Sequence, residues 1–173
     1  MTEHPSTTGA VLIRPARADE ALAVAEVHVR ADRETYAPIF GPQFEAVEIG
    51  RSQLRWDAAL GAGDVLLVAI EAERIVGFAH ATPSWMSALY LLATHLRRGI
   101  GLRLLVALCE ALRARGVAEI GFRAVADNAG AIAFYEAVGA RIAGREMQGE
   151  GAAAWEDIVF TLATDAPAAF RRG

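Results

Sequence analysis

The stretch LYLLATHLRRGIGLRLL, Leu89 to Leu105, decides how the chain is read. An apolar run ends at Leu92, Arg97, Arg98, Gly99 and Gly101 follow, and leucines then return at helical spacing. Glycines at the start of an apolar helical pattern are locally unfavourable, because each gives up backbone entropy there. Strand, arginine- and glycine-bearing turn, then helix is an anion-binding arrangement. The first N–H groups of a helix lack internal partners and point outward with the positive end of the dipole. Without a Cβ, Gly99 and Gly101 leave those amides open to a phosphate, and the two arginines add charge-assisted hydrogen bonds. A tight turn with two solvated arginines is the alternative that this stretch alone leaves open. Other phosphate folds do not fit: there is no G-x-x-x-x-G-K-S/T, no third glycine near Leu104, and no early βαβ unit.

Outward from this stretch, AVLIRP (Ala10–Pro15) is a short apolar run closed by proline, a first strand. Asp19 stands where it can cap a helix on which Leu22, Ala25 and Val29 recur. GPQFEAVEIGRSQLRWDAAL (41–60) reads as a second helix begun by Gly41 and Pro42, with Trp56 packing on the core rather than on a ligand. DVLLVAI (64–70) and RIVGFAHATP (74–83) flank the turn EAER as a hairpin, and SWMSALYLL (84–92) adds a strand. The helix after the glycine turn reaches about Arg115, with Leu104, Leu108 and Leu112 in one row and Leu105 and Cys109 in the next. AEIGFRAVA (118–126) is a strand, NAGAIAFYEAVG (128–139) a capped helix ended by Gly139, and ARIAGREM (140–147) and WEDIVFTLA (155–163) are the last strands. This order predicts an α/β (α+β) fold, one mixed sheet with helices on both faces.

A chain of 173 residues suits one domain with a real core, here residues 10–163 between a disordered tail (1–9) and a C-terminal tail (164–173). No run of about 18 uncharged apolar residues is present, so a spanning helix is not expected. MTEHPSTTGA lacks the basic and apolar regions of a signal peptide, and the lone Cys109 reads as an inert thiol in a helix core, so a cytoplasmic protein is expected. The net charge of −4 argues against nucleic acid as the main partner. Unpaired edges on the final strands make a homodimer a reasonable expectation.

At this point the sequence resembles the GCN5-related N-acetyltransferases, the GNAT family. LYLLATHLRRGIGLRLL is similar to that family's acyl-CoA signature, a strand followed by Q/R-x-x-G-x-G/A and a helix. NAGAIAFYEAVGAR (128–141) resembles its second motif, N-x-x-A-x-x-F-Y-x-x-x-G-F. The resemblance covers residues 10–163 and implies the acyl-CoA N-acyltransferase fold, with acetyl-CoA as cosubstrate, no metal, and an amine as acceptor. It implies that Arg97, Arg98, Gly99, Ile100, Gly101 and Leu102 hold the CoA pyrophosphate, and that Leu89, Tyr90 and Leu91 hydrogen-bond the pantetheine arm. Asn128 would contact pantetheine or fix splayed strands, and Tyr135 would face the thioester sulfur. The chain departs from the pattern at Leu96, where a polar residue usually stands, at Ala93, and at Ala140. SWMSALYLL also lacks the glutamate that many members carry near the position of Trp85.

The implied chemistry is direct attack of an amine on the acetyl carbonyl. An alkyl amine with a pKa of ~10.4 is neutral at pH 7 only at a cost of roughly 4 to 5 kcal/mol, so a base is wanted. His80 is the candidate base, with a hydrogen-bonded structural histidine as the alternative; Glu156, Asp157 and His28 are weaker candidates, and His95 is not one. Tyr135 is the candidate acid, since proton transfer to a thiolate of pKa ~8.5 is uphill by only about 2 kcal/mol. Tyr36, Phe40 and Phe44 offer an acceptor wall that Trp85 and Met86 could face, or simply pack two helices together. A non-catalytic acyl-CoA-binding or regulatory module is the alternative function.

Overall fold

The computed structural model describes residues 10–41 and 44–167; Pro42, the tail 1–9 and the end of the C-terminal tail lie outside them. The chain enters through β1 (Leu12–Pro15) and a 3-10 turn at Ala18–Glu20. Asp19 does not cap the helix that follows. Glu20 ties this entry instead: its carboxylate accepts the Arg17 N–H at 2.7 Å and pairs with Arg14 at 2.6 Å. Helix α1 (Ala21–Phe40) runs through Pro38, exposed in its last turn, and stops where Gly41 turns left-handed at φ 77°. Gly41 therefore marks a helix end, and α2 (Ile49–Ala62) starts later than the sequence predicts.

Strands β2 (Val65–Glu71), β3 (Arg74–Ala81) and β4 (Met86–Leu91) follow as an antiparallel run joined to β1, in the order β1-β2-β3-β4. Helix α3 (Ile100–Ala114) then leads to β5 (Glu119–Val125), α4 (Ala129–Ala137), β6 (Arg141–Gln148) and β7 (Trp155–Ala163). The last three strands form a second antiparallel sheet, ordered β5-β7-β6. The single mixed sheet is thus two sheets whose facing edges, β4 and β5, touch through one parallel bridge at Trp85–Gly121. Gly121 makes that approach feasible, because a Cβ there would stand 2.8 Å from the Trp85 ring. Beyond the bridge the two edges separate.

Each face of the first sheet carries its own core. Leu104, Leu105, Leu108, Cys109 and Leu112 of α3 are all buried, as the leucine rows predict, and pack with Phe122 and Phe160. Burying each such leucine is worth about 1.5 to 3 kcal/mol. On the other face Val24, Ala25 and Trp56 of α1 and α2 pack on Val68 and Phe78. Trp56 is fully buried, as expected of a core residue. Thr164 is buried too and donates its hydroxyl to Val117 and Ala118 carbonyls, so the packed chain extends past Ala163. Among the described residues no helix is long and apolar enough to cross a membrane.

Candidate active site

Where β4 and β5 part, a cleft of about 1090 Å³ opens. The strand before the glycine turn supplies one wall: Leu89, Tyr90 and Leu91 line it, and among the described residues their outer backbone edge has no strand partner. The turn closes one end. Arg97 sits in the left-handed region at φ 61° and Gly99 at φ 75°, and Gly99 is the residue from which α3 begins. A side chain at Gly99 would be strained by that φ, whereas a Cβ at Gly101 would make only ordinary contacts, 3.5 Å from Leu91 and 3.9 Å from Phe134. Gly99 is therefore needed by the backbone, and Gly101 is free to leave the first turn of α3 open to the cleft. Arg97, Gly99, Gly101 and Leu102 all line it.

Three residues of the predicted set, Arg98, Ile100 and His80, do not line it. Arg98 turns away and grips Glu71 with both terminal guanidinium nitrogens, Nη2 at 2.5 Å and Nη1 at 3.2 Å. His95 Nε2–H donates to the same carboxylate, 2.9 Å away, so Glu71 staples the turn to β2 and is held below the usual carboxylate range chiefly by Arg98. The Ile100 side chain is buried in the α3 core, which leaves only its backbone for the cleft. The exposed Leu96 carries no polar contact at the turn, but it lines the cleft.

The second motif forms the opposite wall. Asn128 caps α4, its Oδ1 accepting the Ala131 N–H at 3.1 Å, and Gly139 ends the last turn at φ 92°. Tyr135 lines the cleft from among Phe122, Phe134 and Phe160, with ring centroids 4.5, 5.3 and 5.7 Å away. Burial pushes its phenol well above the usual range.

With strand edge, glycine turn and α4 converging on one cleft, comparison with known proteins identifies the class. A model of the Acetyltransferase (GNAT) family matches residues 27–140. The chain belongs to the GNAT acetyltransferase family. Solved structures of similar fold include the ribosomal-protein-alanine N-acetyltransferase of Brucella melitensis, at TM-score 0.72 and 23% identity over 88% of this chain and 99% of that one. The structure of yncA from Salmonella typhimurium with its cofactor acetyl-CoA aligns at TM-score 0.71 and 23% identity, over 90% of this chain and 95% of that one. The PaiA N-acetyltransferase of Thermoplasma acidophilum in complex with coenzyme A aligns at 0.70 and 16%, over 89% and 99%. Comparison with the curated proteins finds no match.

In this GNAT acyltransferase the far end of the cleft is aromatic. Tyr36, Trp85 and Met86 line it, and Arg123 lies over the Trp85 ring at 5.2 Å. Tyr36, Phe40 and Phe44 pack together at 5.9 to 6.2 Å, and Phe40 meets Trp155 at 5.5 Å. Asp157 is buried outside the cleft lining, where it accepts the Trp155 Nε1–H at 3.1 Å, and desolvation raises it above the usual carboxylate range. Glu156 faces outward to Arg145. His28 is a core residue: Nδ1 lies 2.8 Å from Ser52 Oγ, three aromatic rings surround it, and burial lowers it to about 4.

His80 does not line the cleft. It is buried behind Ser87, whose hydroxyl lies 2.6 Å from its Nδ1, and Asp64 lies 3.0 Å from its Nε2. Ser87 is the extra residue of a β-bulge, since Met86 opposes Ala81 while Ala88 opposes His80. Ser87, Asp64, Arg123 and Glu71 escape the sequence reading. A serine in an apolar strand gives no signal until the bulge turns it, and the other three are single charges whose partners are remote in sequence.

Proposed function

We propose that this chain transfers an acetyl group from acetyl-CoA to a primary amine of a small molecule, peptide or protein, by direct attack in a ternary complex. The observation that carries this reading is the convergence on one cleft of the free β4 edge, the left-handed glycine turn and Tyr135. Bound acetyl-CoA would supply an activated acetyl thioester. The backbone of Leu89, Tyr90 and Leu91 would hold the pantetheine arm, with Asn128 fixing the far wall. The N–H groups of Gly99, Ile100, Gly101 and Leu102, with the Arg97 guanidinium, would hold the pyrophosphate; Arg98, gripped by Glu71, instead keeps the turn in shape. Tyr135 keeps its proton because burial raises it, so its task is to donate a hydrogen bond to the developing thiolate rather than to surrender the proton. Cys109, buried and pushed up to about 12, is not a nucleophile.

The aromatic walls support an amine acceptor, whose cation such rings favour. The exposed edge strand β6, with Ile142 and Met147 outward, supports a homodimer. Thiol release from acetyl-CoA is the test, with phenethylamine, spermidine, kanamycin and a short peptide with a free N-terminus as acceptor probes. Release above background with at least one probe is expected. CoA binding without release over the whole panel would favour a non-catalytic module.

A further inference from the structure

Acetyl transfer to an amine must dispose of a proton, and β4 carries no carboxylate to take it. Ser87 lines the cleft, and behind it stands a hydrogen-bonded chain, Ser87 Oγ to His80 Nδ1 at 2.6 Å and His80 Nε2 to Asp64 Oδ2 at 3.0 Å. His80 is 5% exposed, whereas the Asp64 side chain is 19% exposed, so the chain leads from the cleft toward solvent.

The partners fix the direction of each bond. A carboxylate only accepts, so Nε2 of a neutral His80 carries the hydrogen and donates it to Asp64. Nδ1 is then bare and accepts the Ser87 O–H. Arg55 Nη2 donates to Ser87 Oγ at 3.0 Å and takes one of its two lone pairs. The remaining lone pair is free for an N–H donor in the cleft.

We propose that Ser87, His80 and Asp64 form the proton outlet of the transfer, a reading that rests on the acetyltransferase function above. As the amine nitrogen bonds to the acetyl carbon, its proton passes to Ser87 Oγ and the Ser87 proton passes to His80 Nδ1. The C–S bond breaks and its electron pair leaves with the sulfur, which Tyr135 hydrogen-bonds. His80 holds the proton as imidazolium against Asp64 until the product departs, then releases it to water. Ser87 is the group that touches the amine; His80 and Asp64 are positioning residues that act through it. The charged groups acting on His80 are Asp64, before β2, and Arg55, on α2; β4 adds only the neutral Ser87 hydroxyl. Burial and Arg55 lower His80, while Asp64 draws it back up.

Two readouts test the outlet. By ¹⁵N-histidine NMR of the full chain at pH 7, His80 is expected as the Nε2–H tautomer; an Nδ1–H tautomer would overturn the proposal, because it cannot take the serine proton. Thiol release is then followed against pH with whichever of the four amine probes turns over fastest. Ser87→Ala is expected to lower kcat by about 10- to 100-fold, with the KM for acetyl-CoA unchanged within about twofold and Ser87→Thr restoring part of the rate. Asp64→Asn is expected to shift the acid limb of the profile to lower pH, because the charge that raises His80 is gone, and to lower the plateau. Unchanged kcat and an unchanged limb in both variants would overturn the proposal. Absence of turnover in the wild type with all four probes would remove the transferase reading and the outlet with it, whereas the Nδ1–H tautomer removes the outlet alone.

Discussion

Tyr135 and His80 are both legible in the sequence as titratable side chains on the expected elements, and for both the surroundings decide what the group can do. The N-x-x-A-x-x-F-Y pattern places Tyr135 at the cleft, where the structure also has it. Burial among Phe122, Phe134 and Phe160 then makes loss of its proton harder, which no local pattern reports. Replacing Tyr135 by phenylalanine keeps this packing and removes only the hydroxyl. Steady-state kinetics should show kcat lower by about 100-fold, the order seen when one such donor is removed, with calorimetric CoA affinity unchanged within about twofold. An unchanged rate would remove the hydroxyl from the chemistry. His80 was legible as a histidine near the acceptor side, but its distance from the cleft depends on the bulge at Ser87. A bulge leaves no mark in an apolar strand sequence, so the serine between cleft and histidine was not legible.

At the scale of elements, the turn between β4 and α3 carries two adjacent arginines with different work. Arg97 lines the cleft, and Arg98 anchors the turn to β2 through Glu71. Neighbouring positions in a left-handed turn point apart, and the sequence cannot say which one faces the ligand. Arg97→Asn keeps a residue that tolerates φ 61° while removing the charge. It should weaken acetyl-CoA binding about tenfold, the worth of one charge-assisted hydrogen bond. Arg98→Ala should weaken it by less than about threefold, because the Arg98–Glu71 pair lies at the surface. Equal losses in the two variants, read by calorimetry, would contradict this division. The helices and strands themselves were legible because their apolar periods are long. The boundary at Gly41 differs from the sequence expectation because a glycine can end a helix at positive φ as readily as precede one, and here it ends α1.

For the whole molecule, the order of elements fixed an α/β domain with helices on both faces, and the structure agrees. The division into two sheets was not legible, since it turns on the crossing of Trp85 over Gly121, far apart in the chain. That division produces the cleft. The two-faced core also has a pH consequence. His28 is held neutral, lowered to about 4 from an ordinary value near 6.5, so the unfolded chain binds its proton more readily. Stability from this group is complete above about pH 6.5 and is lost as pH falls through 4, by at most about 3 kcal/mol; His80 adds in the same direction. Glu20, lowered to about 2 chiefly by Arg14, adds a further loss as pH falls from about 4.5 toward 2. Urea unfolding should therefore find the wild type less stable at pH 5 than at pH 7, and His28→Gln should flatten that difference. The central claim, however, is that the parted edges and the glycine turn make one acetyl-CoA site. Calorimetric titration of acetyl-CoA into the wild-type chain and into Arg97→Asn tests it most directly. Saturable binding of one molecule per chain, about tenfold weaker in the variant, is the predicted result; absence of saturable binding to the wild type would contradict the account.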